Sequence, residues 1–168
     1  SFTAPATVNL AASVTANGNT ITSVQFYNGS TLLGEDTTSP YSLSWSGVTA
    51  GSYSVSARVV YGSGQTVNSG VATVTVANPA PTIALTSPAT GSSFTAPATV
   101  NLAASVTANG NTITSVQFYN GSTLLGEDTT SPYSLSWSGV TAGSYSVSAR
   151  VVYGSGQTVN SGVATVTV

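Results

Sequence analysis

The sequence predicts an all-β chain of two tandem β-sandwiches, each of about seven short strands, set end to end. Three observations predict it. Residues 1–76 recur without a difference at 93–168, an offset of 93 − 1 = 92 residues that leaves residues 77–92 between the copies. Within each copy, apolar residues alternate with polar ones at period two, which gives a strand one core face and one wet face. Short clusters of Gly, Pro, Asn and Ser punctuate these runs, and no apolar stretch has helical spacing.

The strands follow in order from that alternation. Val8, Leu10, Ala12 and Val14 alternate with Thr7, Asn9, Ala11 and Ser13, and the next run, Thr22 to Tyr27, turns Val24 and Phe26 inward. Asn28-Gly29 then reads as a type I′ hairpin turn with positive φ at both residues, leading into Thr31–Gly34, where Leu32 or Leu33 faces the core. Tyr41, Leu43 and Trp45 alternate with serines, as do Tyr53, Val55 and Ala57 before Val59 and Tyr61. Ala72, Val74 and Val76 make the last strand of the copy. Ile83 and Leu85 in the connector supply a first strand, 82–86, to the second copy. The organisation expected is therefore a first repeat, 1–76, lacking its first strand; a linker, 77–81; and a second repeat, 82–168. Pro79 and Pro81 at alternate positions favour an extended, semi-rigid linker. The strand missing from the first repeat is expected from a preceding repeat of a longer chain rather than from a neighbouring subunit.

Serine and threonine make up about a third of each copy, and the alternation assigns them to the wet faces of sheets rather than to a disordered tract. Charged residues are 4% of the chain, with no Lys, His, Cys or Met. No zinc site of thiols and imidazoles, Ser–His–Asp triad, Schiff base, Lys–Asn crosslink or disulfide can be built from such a set. Two arginines in a chain of net charge −2 make no footprint for nucleic acid. No run reaches the ~18 apolar residues of a membrane-spanning helix. The expectation is a protein that is not an enzyme, with no cofactor, no metal and no catalytic residues.

The remaining polar groups each have a plain reading. Glu35-Asp36 and Glu127-Asp128 are the only carboxylates. Neighbours in an extended segment point to opposite faces, so the two cannot act together across a glycoside, and they read as a solvated turn. A weak cation site is the alternative. Arg58 and Arg150 are expected to pair loosely with these acids at the surface. Asn28-Gly29-Ser30 matches a glycosylation sequon, which the turn already explains. Tyr27, Tyr61, Tyr119 and Tyr153 pack across strands, with a sugar-stacking platform as the alternative. Trp45, Trp137, Phe26 and Phe118 are expected in the cores.

The run ITSVQFYNGSTLLGEDTTSPYSLSWSGV, with AGSYSVSARVVYGSGQ after it, resembles the bacterial immunoglobulin-like domains that occur in tandem in large secreted and surface proteins. The elements that carry the resemblance are Phe118-Tyr119-Asn120-Gly121, Pro132 to Trp137, and Ala142-Gly143-Ser144-Tyr145. The run Val59-Val60-Tyr61-Gly62 departs from it, lacking the acidic residue that related domains often carry after the Ala57-Arg58 stretch. The resemblance implies an immunoglobulin-like sandwich and a spacer, stalk or adhesion role. Tyr53 and Tyr145, each just after a Gly turn at the head of a long strand, stand where such sandwiches place a tyrosine corner. The function expected is a structural repeat of an extracellular or cell-surface stalk, extender or filament, part of a longer array serving adhesion or display. Its partners are then neighbouring identical repeats, with lateral or end-to-end self-association, no nucleic acid and no membrane span. The alternative is a carbohydrate-binding accessory module of a secreted hydrolase, with a glycan as partner.

Overall fold

Alternating apolar residues need two sheets to close on, and in the computed structural model, which describes residues 1–168, they find them twice. The chain forms two compact units, Ser1–Pro79 and Ala80–Val168, with no helix. In the first unit the strands are β1 (Phe2–Thr3), β2 (Ala6–Ala12), β3 (Ile21–Asn28), β4 (Thr31–Asp36), β5 (Tyr41–Val48), β6 (Gly51–Tyr61), β7 (Gln65–Asn68) and β8 (Ala72–Ala77). One sheet has the order β1-β8-β6-β3-β4, with β7 also on β6, and β2 pairs with β5 in the other. Val8, Leu10, Val24, Phe26, Val48, Val55 and Val76 meet between them as the buried core.

The second unit repeats this with one strand more on its small sheet and one fewer on its large sheet, where an isolated bridge between Ser93 and Thr167 takes the place of β1. It comprises β9 (Thr82–Ser87), β10 (Ala98–Thr107), β11 (Ile113–Asn120), β12 (Thr123–Asp128), β13 (Tyr133–Val140), β14 (Ser144–Tyr153), β15 (Gln157–Asn160) and β16 (Ala164–Thr167). Here β9 lies antiparallel on β10, with Val106 opposite Ile83 and Ala104 opposite Leu85. The connector is shorter than the expected 77–81, because Ala77 ends β8 and Pro81 is fully buried, next to the start of β9.

Three local features differ from the sequence reading. The hairpin turn after β3 is centred on Gly29-Ser30, since Asn28 pairs with Thr31, and only Gly29 has positive φ, +56°. Glycine at the first central position is the type II′ requirement, so the Asn-Gly pair is shifted one residue from the type I′ reading. The pair with positive φ at both residues is Asn17 (47°) and Gly18 (82°). Next, the β3–β4 ladder slips, with Phe26 facing Gly34 and Tyr27 facing Leu32. Leu33 is the extra residue of a bulge and packs against the core, while Leu32 is left 49% exposed. A side chain at Gly34 would stand 2.9 Å from Leu43 Cδ1, so this glycine admits close packing of the facing sheet. Finally, β7, like the short β1, is added to the six strands expected of the first repeat. It carries a single apolar residue, Val67, and is joined to β8 by a break at which Ser69 donates its backbone N–H to the Ala57 carbonyl while its Oγ accepts from the Ala57 N–H.

Candidate functional site

The side chains richest in chemistry gather on the outer face of the large sheet. Because β3 lies between β4 and β6, Gln25 is directly opposite both Glu35 and Arg58. Three strands thus align an acid, an amide and a guanidinium in one row, with the two charges on strands that are not neighbours. Arg58 donates from Nε (3.0 Å) and Nη2 (2.7 Å) to Gln25 Oε1. The amide's other end, Nε2, donates to Glu35 Oε2 at 3.3 Å. Ser23 Oγ, buried beside it, donates to the same carboxylate oxygen at 3.4 Å.

Tyr27 completes the ladder. Its hydroxyl donates to Gln25 Oε1 at 2.9 Å and accepts from Arg58 Nη2, while the guanidinium carbon sits 4.8 Å from the ring centroid. The second unit repeats every contact, with Ser115, Gln117, Tyr119, Glu127 and Arg150. The expected loose pairing of Arg58 with Glu35 or Asp36 is therefore corrected: Gln25 stands between, and the arginine is held by an amide and a phenol. Ser23 and Gln25 carried no signal in the sequence, because only the strand register brings them under Arg58. The same contacts set one face of Tyr27 against a cation, which leaves less of the ring for stacking on a sugar.

Asp36 is turned away from this row. Its Oδ2 accepts from the Ser42 N–H at 2.9 Å and its Oδ1 from the N–H and hydroxyl of Thr38. The backbone bonds from Ser42 and Thr38 hold its carboxyl below the usual carboxylate range. Asp128 is lowered in the same way, by Thr130 first and then Ser134. These acids fasten the β4–β5 and β12–β13 connections and offer their oxygens to the chain itself.

The tryptophans, Phe26, Phe118, Tyr53 and Tyr145 lie at the inner face and the corner. Tyr53 donates its hydroxyl to the Thr49 carbonyl at 2.9 Å, and its ring meets Trp45 edge-on with centroids 5.1 Å apart. Tyr145 does the same with Thr141 at 3.0 Å and with Trp137 at 5.2 Å. Phe26 and Phe118 are buried in the two cores, and Trp45 and Trp137 are half-buried against them. Pro79 is exposed and Pro81 is buried.

A sequence model of the family described as Bacterial Ig domain matches residues 1–57 and 81–149. No curated protein matches the chain. Among solved structures, the fibronectin(III)-like modules of Clostridium thermocellum CbhA are similar at 25% identity, over 99% of this chain and 87% of that one, with a TM-score of 0.46. SGBP-B of the Bacteroides ovatus mixed-linkage glucan utilization locus, solved in complex with a mixed-linkage heptasaccharide, is 18% identical over 98% of this chain and 42% of its own, at a TM-score of 0.38. A chimeric titin Z1Z2 tandem is 20% identical over 99% of this chain and 91% of its own, also at 0.38.

Proposed function

The chain belongs to the bacterial Ig domain family, and from that premise we propose that it is a structural repeat segment of an extracellular stalk, extender or filament. The observation that carries the proposal is the pairing of identity with independence. Two copies of one 76-residue sequence each fold around a core cluster of their own. A ligand-binding protein needs a distinct site, whereas a spacer needs only a unit that folds and repeats. The polar chemistry supports this reading. Arg58, Gln25, Glu35 and Tyr27 satisfy one another, and Asp36 is spent on its own loop. In a stalk, the length set by copy number is the function, and neighbouring repeats are the partners.

The test is to express arrays of two, four and six periods of 92 residues and measure their maximum dimension by small-angle X-ray scattering. A length rising in proportion to copy number supports a stalk. A dimension growing only as the cube root of mass would show collapse into a globule and defeat it. A glycan array run on the two-period chain checks the sugar-binding alternative, since saturable binding to one glycan class would favour that module instead.

A further inference from the structure

The outer face of the large sheet carries its two charges apart, in an order that fits a reversed copy of itself. Glu35 on β4, Gln25 on β3 and Arg58 on β6 stand level, so the acid and the guanidinium lie one strand to either side of Gln25. At a strand spacing of ~4.8 Å they are about 10 Å apart, too far for an ion pair. Each charge is bonded only to neutral groups: Glu35 accepts from Ser23 and Gln25, and Arg58 donates to Gln25 and Tyr27. Arg58 uses Nε and Nη2 in this, which leaves the two N–H donors of Nη1 for another acceptor. Glu35 takes both bonds on Oε2, which leaves Oε1, and the residue is exposed. The next row is more apolar. Tyr27 on β3 stands between Leu32 on β4, which is 49% exposed, and Ser56 on β6. The second unit presents the same rows, with Leu124 again 49% exposed.

We infer that this face is an interaction surface, and that its partner is the same face of a second copy of the chain, turned about a two-fold axis along β3. Gln25 then meets Gln25, and Tyr27 meets Tyr27. Glu35 lands over Arg58 of the second copy, and Arg58 over its Glu35, because each stands one strand from the axis. Two pairs of opposite charge form at once. An axis along the row instead would set Glu35 on Glu35 and Arg58 on Arg58, so charge selects the first orientation. Leu32 and the open part of Tyr27 are covered as the faces close, which adds apolar burial to the charge pairing. From β8 to β4 the face is four strands wide, and at the eight residues of β3 it is roughly 19 Å by 27 Å, or about 1,000 Å² over two partners. That is the lower bound for a specific interface, so one pair of faces associates weakly, with a dissociation constant on the order of 100 µM. The inference goes beyond the stalk reading and does not need it, since the faces meet whatever the length of an array.

The test uses the full chain and reads mass by sedimentation equilibrium. The parent chain should associate above about 100 µM, and at least about fivefold more weakly when salt rises from about 0.05 M to about 0.5 M. Glu35→Lys with Glu127→Lys makes every row positive at both ends, and Arg58→Glu with Arg150→Glu makes every row negative. Each variant alone should stay monomeric where the parent associates, and an equal mixture of the two should associate again. Each unit holds one tryptophan, Trp45 or Trp137, so Trp137→Phe leaves a fluorescence reporter for the first unit and Trp45→Phe one for the second. Thermal midpoints read in this way check that each variant is folded. Should Arg58→Glu unfold its unit, Glu35→Gln with Glu127→Gln leaves the arginine contacts in place and must still weaken association about fivefold and remove its salt dependence. A parent chain monomeric at about 1 mM, a folded charge variant that associates as the parent does, or a folded mixture that stays monomeric overturns the interface. Array length is a separate readout. Lengths that fail to scale remove the stalk and leave this interface, while monomeric arrays whose lengths scale remove the interface and leave the stalk.

Discussion

The same substitution made at matching positions of the two units should have unequal consequences. Val59 and Val151 occupy one register, opposite Val24 and Val116 respectively, and have the same neighbours in sequence. Val151 is fully buried under β9, and Val59 stands half-buried at the wall of an open groove. Val→Ala removes two methyl groups' worth of burial, about 1.6 kcal/mol at ~0.8 kcal/mol each. At Val151 a cavity term adds to this, giving about 2–2.5 kcal/mol. At Val59 part of the area is already wet and no closed cavity forms, so about 1 kcal/mol is expected. For a domain of this size each kcal/mol moves the midpoint by ~4–8 °C. Val151→Ala should therefore lower the Trp137-reported midpoint by roughly 10–15 °C, and Val59→Ala the Trp45-reported one by about 5 °C. Thermal and urea unfolding followed by fluorescence in the matching single-tryptophan backgrounds read the two apart. Equal shifts, or a larger one for Val59→Ala, would show that the first unit closes its own groove in solution and refute the reasoning.

Two further outcomes follow from the hydrogen bonds. Tyr53→Phe removes the hydroxyl that reaches the Thr49 carbonyl and should cost about 0.5–1.5 kcal/mol in the first unit only; a loss of nothing would make that corner bond ornamental. Asp36 and Asp128 have carboxyls lowered by backbone N–H bonds, so their contribution is present above the unfolded value of about 3.9 and is lost as pH falls through the lower folded one. With no histidine to titrate, the midpoints should be flat from about pH 5 to 8 and fall below about pH 4. The double variant Asp36→Asn with Asp128→Asn should show a shallower acid slope than the parent chain, and an unchanged slope would place the acid sensitivity elsewhere.

How far the chain is legible before folding depends on the range of the interaction. Period-two runs such as Val8 to Ala12 and Tyr53 to Val59 announce strands, because the alternation is itself the burial pattern. Gln65–Asn68 escapes that rule. It has one apolar residue, and its pairing comes from the facing strand and the turn before it. The hairpin at Gly29-Ser30 lies one residue beyond the turn that Asn28-Gly29 predicts, because Asn-Gly reads as a turn in isolation, while register is fixed by the bulge at Leu33 and the core beneath it. The row of Glu35, Gln25 and Arg58 was invisible for the same reason. Nothing in the spacing of residues 25, 35 and 58 says that three strands will bring them level.

The comparison of twins shows what the connector is. Residues 1–76 and 93–168 agree at every position, so a local code would give both copies the same strand ends and the same buried set. They differ at Ala12, Ala57, Val59, Ala72 and Val74, each better covered in the second copy, and β9 is the element the first copy lacks. A six-residue strand outside the repeated sequence thus completes the burial of a core made wholly of residues inside it. The folding period is offset from the sequence period. The repeat one would cut from an alignment begins at Ser93, but the unit that closes its core begins near Pro81. The connector is then not a tether added between finished domains. It is the first strand of the domain that follows it, and any joint between domains is confined to the few residues between Ala77 and Pro81.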